Sequence, residues 1–423
     1  MSAALQQTAE GFSARYQRLA DRLPGPAEPR RRAAASFRAR GLPDTRDEAW
    51  RFTNLRALEG TVFSEADERE DAVRALLARA PATDGPLLVF ANGRFRAEQS
   101  LLPRNIHVAS FASEPALDGA PDGGAVETLN TMLAEDGAVI SVPAGTDGGT
   151  LVLLNLGVGE MGDPPGEPAA FHPRHRLSLG AGARLALIEI ALGDGVYLHN
   201  PVMEVALGEE ARLEHLRLQK ESPRAFHLGS LHLALGARAA YEGFSLVTGA
   251  RLARSEIHAD LAGAGAALTV NAAQLLDGTR HADITTVVRH EAPGCSSRQT
   301  VKNVITGRAH GVFQGKIAVA RAAQKTDGYQ MNQALLLSDQ AAVDSKPELE
   351  IFADDVKCSH GATVGALDPE QLFYLRSRGV PRQEARAILV RAFLAETLDS
   401  VPHAWGRGVL ENEVETWWKD RPL

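Results

Sequence analysis

Four phrases in the middle of the chain repeat one pattern: LSLGAGARLALIEIALG, EVALGEEARLEHLRLQ, LALGARAAYEGFSLVTG and ADLAGAGAALTVNAAQLLDG. They align on Gly180, Gly208, Gly236 and Gly263, at spacings of 28, 28 and 27 residues. Each unit reads as an apolar strand, a Gly-x-x-Ala turn and an alternating strand such as Ala183, Leu185, Leu187 and Glu189, with weaker echoes near Ala292 and Ala320. A fixed period of about 20 to 50 residues marks a solenoid or a propeller, and a propeller blade needs about 40 residues and four strands. The shorter period predicts one β-helix coil per unit. No coil buries its apolar side alone, so coils must stack to make a core, and the small corner residues Gly182, Ala183, Ala211 and Ala239 let them approach closely. The predicted fold is mainly β, a right-handed parallel β-helix.

Flanking patterns supply the caps that a solenoid requires. Up to about residue 79, apolar residues recur every three or four positions, and Pro24, Pro26 and Pro29 interrupt the run after Leu23. Arg30, Arg31 and Arg32 are expected at a solvated helix start. After Asp368 the helical spacing returns. Asp368 is the expected N-cap with Pro369 at the first helical position, Gly379 ends that helix, and Pro381 opens a second one through about Leu398. Its stripe of Ala385, Ile388, Leu389, Ala392 and Leu394 is widened by Val390 and Phe393 beyond one packing face. That width suits either a partner surface or a helix packed on two sides. The organisation is therefore 1–80 helical, 81–366 β-helix and 367–423 helical.

The 423 residues include 39 glycines and only 5% aromatics, which favours tight turns and small, regular side-chain layers. A net charge of −8 argues against nucleic-acid binding. No apolar run reaches the ~18 residues needed to cross a bilayer, and the first residues read as an amphipathic helix, so no membrane and a cytoplasmic setting are expected. Two cysteines, Cys295 and Cys358, make no disulfide framework.

Complete catalytic constellations are not apparent. GVFQGKI, from Gly311 to Ile317, imitates a phosphate loop but is one residue short and lacks the Ser or Thr that reaches magnesium. No Gly-x-Ser-x-Gly occurs. A polysaccharide-cleaving β-helix would need charged residues aligned on strands, whereas the acidic pair Glu209-Glu210 falls at a turn. Scattered histidines, such as His172 and His175 around Pro173 and His227 and His232 on successive strands, read as surface or core residues. Cys295, in the HEAPGC turn, is expected to carry an exposed thiol and is assigned no role.

The stretch KPELEIFADDVKCSHGATVG differs. Period-two parity puts Cys358 and His360 on one side with Val356, Ala362 and Val364. Packing alone accounts for a buried cysteine, but an inward imidazole needs partners for its nitrogens. Thiolate and imidazole both suit iron or zinc, yet two ligands complete no stable site, since a cluster normally takes four.

Residues 346–380, together with GLPDTRDEAWRFTNL (Gly41 to Leu55) and GRAHGVFQGKI (Gly307 to Ile317), resemble the SufB/SufD family of iron–sulfur cluster assembly scaffolds, and the likeness is to its SufD branch. The resemblance covers essentially the whole chain. It implies a non-catalytic scaffold that pairs with SufB through the β-helix and with the ABC-type ATPase SufC through the C-terminal helices. Val390, Arg391, Phe393 and Leu394 are then the expected ATPase-docking residues. His360, with Cys358 beside it, would be this chain's half of a transient iron or iron–sulfur site completed by SufB. A stand-alone, homodimeric metal-binding β-helix is the alternative.

Overall fold

The computed structural model describes residues 2–67, 69–117, 123–162 and 165–419. Each Gly-x-x-Ala phrase forms a β-turn in which the alanine N–H returns to the glycine carbonyl: Ala183 to Gly180 at 3.0 Å, Ala211 to Gly208 at 3.1 Å, Ala239 to Gly236 at 3.2 Å. The third residue of each turn takes positive φ, at Gly182, Glu210, Arg238 and Gly265. The turns also stack, because Gly208 and Gly236 donate their N–H groups to Leu179 and Leu207 of the preceding coil, each at 2.8 Å. A Cβ on Gly263 would stand 2.0 Å from the backbone nitrogen of Ala237, so a side chain there would force the coils apart. Alanines 183, 211, 239 and 266 are completely buried at these corners.

Strands run between the turns. In chain order they begin with β1 (Leu87–Ala91), β2 (Arg94–Phe95), β3 (His107–Ser110), β4 (Ala138–Val142), β5 (Asp147–Val158), β6 (Ala169–Phe171) and β7 (Arg174–Leu179). Next come β8 (Arg184–Asp194), β9 (Tyr197–His199), β10 (Val202–Leu207), β11 (Arg212–Lys220), β12 (Phe226–Leu235), β13 (Ala240–Val247) and β14 (Leu252–Leu261). The series closes with β15 (Ala267–Leu276), β16 (His281–His290), β17 (Ser296–Ile305), β18 (His310–Val319), β19 (Asp327–Leu336), β20 (Ala342–Ile351) and β21 (Lys357–Gly365). They form two long sheets, ordered β2-β1-β5-β8-β11-β13-β15-β17-β19-β21 and β20-β18-β16-β14-β12-β10-β7-β4-β3. All pairings within the coils are parallel, and the result is a parallel β-solenoid of about seven turns. The first coils enclose an apolar lumen that includes Leu177, Val205, Leu231, Leu233 and Ile257.

Among the described residues, seven helices accompany the solenoid: α1 (Ala3–Leu19), α2 (Ala27–Arg40), α3 (Glu70–Leu77), α4 (Ala125–Leu133), α5 (Pro369–Ser377), α6 (Arg382–Leu398) and α7 (Ala404–Lys419). Helix α4 interrupts the region that reads as continuous strand. Helices α1, α2 and α4 share an apolar cluster with Leu198, Phe226 and Leu228, whereas α3, α6 and α7 cover the outer face of the other sheet through Val73, Leu76, Val390, Leu394, Leu410 and Trp417.

Three expectations change here. Arg30 is not solvated: it is 1% exposed and donates to the carbonyls of Pro24 (2.7 Å) and of Thr131 and Ala134 at the end of α4 (3.3 and 2.8 Å). A cation satisfying the last carbonyls of a helix explains its burial. Cys295 is wholly buried, because Ala292-Pro293-Gly294-Cys295 occupies the Gly-x-x-Ala corner and its thiol stands in the buried alanine position, 3.3 Å from the Gly263 carbonyl. His227 and His232 also share one strand, β12, instead of lying on successive ones.

Candidate functional site

Strand β21 carries both Cys358 and His360. Among the described residues it pairs only with β19, while β20, on the other sheet, pairs only with β18. The solenoid therefore ends in two strands with one unpaired edge each. Ile351, Phe352 and Val364 are exposed around this end, Phe352 at 65%. An uncovered edge is a template for another strand, and proteins protect edges with charge and proline. Strand β20 has Lys346, Pro347, Glu348 and Glu350, whereas β21 has only Lys357 as a permanently charged residue.

Inward parity holds for both candidate ligands, with different outcomes. Cys358 is half-buried and packs near Ile317, Val319 and Val356. Burial pushes its thiol above the usual range, and the Asp327 carboxylate acts the same way, so the isolated chain favours the thiol over the thiolate. His360 is exposed at the rim and forms no hydrogen bond with the described residues. No third His, Cys, Asp or Glu among the described residues joins this pair, as a metal-holding group of three occurs only elsewhere.

Behind His360 the lumen changes character. Register places Val270, Gln299, Gln330 and His360 in one inward column, and Gln274 beside Asn303 in another. Asn303 donates to Asn332 at 2.7 Å, and Gln299 accepts from Thr286 at 2.6 Å. Gln330 donates to the Glu348 carbonyl at 3.2 Å, yet its oxygen lacks a partner, as do Gln299 Nε2 and Asn332 Nδ2. Buried amides with spare hydrogen-bonding capacity make this end of the lumen hydrophilic. Gly315 makes room for one of them: a Cβ there would lie 2.1 Å from the Gln330 oxygen. That clearance explains a glycine in the stretch that imitates a phosphate loop. The column was readable from strand parity, one coil at a time, but amides carry no motif.

The Gly41–Leu55 stretch forms a strap across the outside of β14, β16, β18 and β20. Trp50 lies over the Arg254 guanidinium at 4.0 Å, and Arg254 Nη2 and Gln314 Nε2 donate to the Ala49 carbonyl at 2.8 and 3.1 Å. Arg254 also pairs with buried Asp283 and with Glu256, and Thr53 donates to Asp283 at 2.5 Å. At the far end Glu48 pairs with Lys346 of the last coil. Sequence alone did not connect the strap with these partners.

Of the four residues expected to dock the ATPase, Val390, Arg391 and Leu394 line one pocket with Leu275, Val414 and Trp417, and Phe393 is not part of its lining. Val390 and Leu394 are buried against the solenoid with Leu275 and Val304, and Phe393 is partly buried with Lys302 Nζ 4.7 Å above its ring. Arg391 alone is exposed. The helical period explains the split, since Ala387, Val390, Leu394 and Leu398 fall on one face. The open apolar surface of these helices is instead a groove between α5 and α6, lined by Phe373, Tyr374, Ile388 and Leu389. Asp368 caps α5 as expected, accepting from the Glu370 and Gln371 amides at 2.8 and 3.4 Å.

Residues 163–393 match the family model described as SUF system FeS cluster assembly, SufBD core domain. The chain belongs to the SufBD family. It is 34% identical to the iron-sulfur cluster assembly protein SufD of Escherichia coli over 85% of this chain and 86% of that protein. It is 33% identical to an iron-sulfur cluster assembly SufBD family protein of Synechocystis, over 88% and 87% of the two chains. A chloroplastic protein of Arabidopsis thaliana, ABCI7, is 28% identical over 88% and 82%. These relatives support a role in iron–sulfur cluster assembly. No helix among the described residues is long and apolar enough to cross a membrane.

Proposed function

We propose that this SufBD-family chain is a non-catalytic scaffold subunit of a cytoplasmic SUF complex with SufB and the SufC ATPase. The observation that carries the reading is the open C-terminal coil: two one-sided strands, an exposed imidazole, and a thiol beside it. An imidazole at such a rim offers a neutral nitrogen to a metal held mostly by another chain. His360 contributes that donor to a transient iron or iron–sulfur cargo at the junction with SufB. Cys358 supplies a second donor once metal displaces its proton. The weakly defended β21 edge receives the partner solenoid, and the α5–α6 groove, together with exposed Arg391 elsewhere on α6, receives SufC.

The test is anaerobic cluster reconstitution on the complex co-expressed with SufB and SufC, comparing wild type with His360→Ala. Lost visible absorption and lost iron in an intact complex are expected. Full cluster content in the variant overturns the half-site. Size-exclusion and metal analysis of the chain alone address the homodimer reading, which requires a dimer that loses bound metal in a Cys358→Ser/His360→Ala variant.

A further inference from the structure

A second set of metal-type donors lies in the N-terminal half of the solenoid. His199 ends β9 and is the register partner of His227 at the start of β12. Glu221 sits in the corner leaving β11, between them. All three side chains are buried, and one donor atom from each lies within 4.8 Å of the others. His199 Nδ1 is 3.0 Å from Glu221 Oε1, and His227 Nδ1 is 2.6 Å from Oε2.

The surroundings hold this arrangement. Gln219 Nε2 donates to Glu221 Oε2 at 3.0 Å while its oxygen accepts from the Gly249 amide at 3.2 Å. The Phe171 ring lies 4.9 Å from the His199 ring. These contacts fix the carboxylate and one imidazole from outside the donor set, as outer partners of metal sites do.

Charge gives the independent reason. Glu221 is a buried carboxylate that bonds to no lysine or arginine among the described residues. Nε2 of both rings is buried and has no hydrogen-bond partner among the described residues. The site thus gathers a buried carboxylate and two imidazoles, with no lysine or arginine beside the carboxylate among the described residues.

We propose that His199, Glu221 and His227 bind a first-row divalent transition ion of the zinc or ferrous type, at a site separate from the pair on β21. Two histidines and one glutamate are a known tetrahedral donor set that leaves a fourth position for water. Donors about 2.0–2.1 Å from an ion lie roughly 3.3 Å apart, so these three need to move relative to one another by no more than about 1.5 Å. Coordination through Nδ1 places each ring proton on Nε2, where neither finds a partner among the described residues, so the bonds to the ion must outweigh that cost. This inference does not depend on the role proposed for His360.

The full-length protein, produced in medium supplemented with Zn²⁺ or Co²⁺, is analysed for bound metal and for the visible bands of four-coordinate Co²⁺. About one ion per chain is expected, with only nitrogen and oxygen neighbours in X-ray absorption. The ion should persist in a Cys358→Ser/His360→Ala double variant. It should weaken at least about ten-fold in Glu221→Gln and His227→Gln. Substoichiometric metal in the wild type, sulfur scattering, loss in the double variant, or full retention in the two glutamine variants overturns the proposal. If the glutamine variants do not fold, the wild type and the double variant still decide.

Discussion

The two ends of the solenoid are built on opposite plans. At the N-terminal end, β3 and β2 run antiparallel along the first coils, and α1, α2 and α4 pack Phe12, Phe37, Leu129 and Met132 into a cluster with Ala170, Leu198 and Phe226. The lumen there is mostly leucine, isoleucine and valine. At the C-terminal end no described strand pairs beyond β20 or β21, apolar side chains face solvent, and buried glutamines and asparagines join Ile317 and Val319 in the last coils. Identical coil geometry thus encloses two different solvents. A dry, capped end is stable by itself, whereas a wet, uncapped one is an unfinished surface whose polar groups keep capacity for something else.

The largest expected effect tests the dry end. Leu233→Asn puts an unpartnered amide into the apolar lumen and removes packing, which should cost about 3–5 kcal/mol in urea unfolding. A cost below about 1 kcal/mol would mean that the two lumens tolerate polarity equally.

Acid tests the histidines enclosed at both ends. Burial lowers His175, in the dry lumen, and His290, in the wet half, to about 4 from an ordinary 6.5. Between those values the unfolded chain takes up protons that the folded chain refuses. Stability should be complete above about pH 6.5 and fall towards pH 4, by up to about 1.4 kcal/mol per pH unit for each histidine. Chemical denaturation at pH 7, 5.5 and 4.5 reads this slope; a flat profile would show that the lumen accepts imidazolium.

The smallest effect belongs to the wet end. Gln330→Leu removes an amide whose oxygen already lacks a partner, in space that Gly315 keeps clear. The change in stability should stay within about 1 kcal/mol. A loss matching that of Leu233→Asn would show that the amide column is structural.

Much of the architecture was legible because it is local. The Gly-x-x-Ala turns close within four residues, and strand parity then sets which side chains enter the lumen. That parity correctly turned Cys358 inward, but it could not show that the last coil is open, which leaves His360 at a solvent-facing rim. Cys295 is buried because its thiol takes the place of the corner alanine, an equivalence with Ala183 that the weak echo near Ala292 left unaligned. Arg30 was misread because its partners, the carbonyls ending α4, lie about a hundred residues away. The His199–Glu221–His227 group shows no spacing signal either, since its members come from two strands and a corner that meet only after coiling.

The strap bears on how the protein is made. Glu48 and Lys346 are separated by 298 residues, and Ala49 and Gln314 by 265. During synthesis the strap leaves the ribosome early, while the strands it crosses emerge last. Contacts this distant in sequence form slowly. Trp50 and its neighbours must therefore wait, undocked, while coil after coil is added. The last coil is both the end of the solenoid's translation and the anchor of the chain's beginning, so a truncated product lacking β20 would also lose one fastening of its N-terminal region.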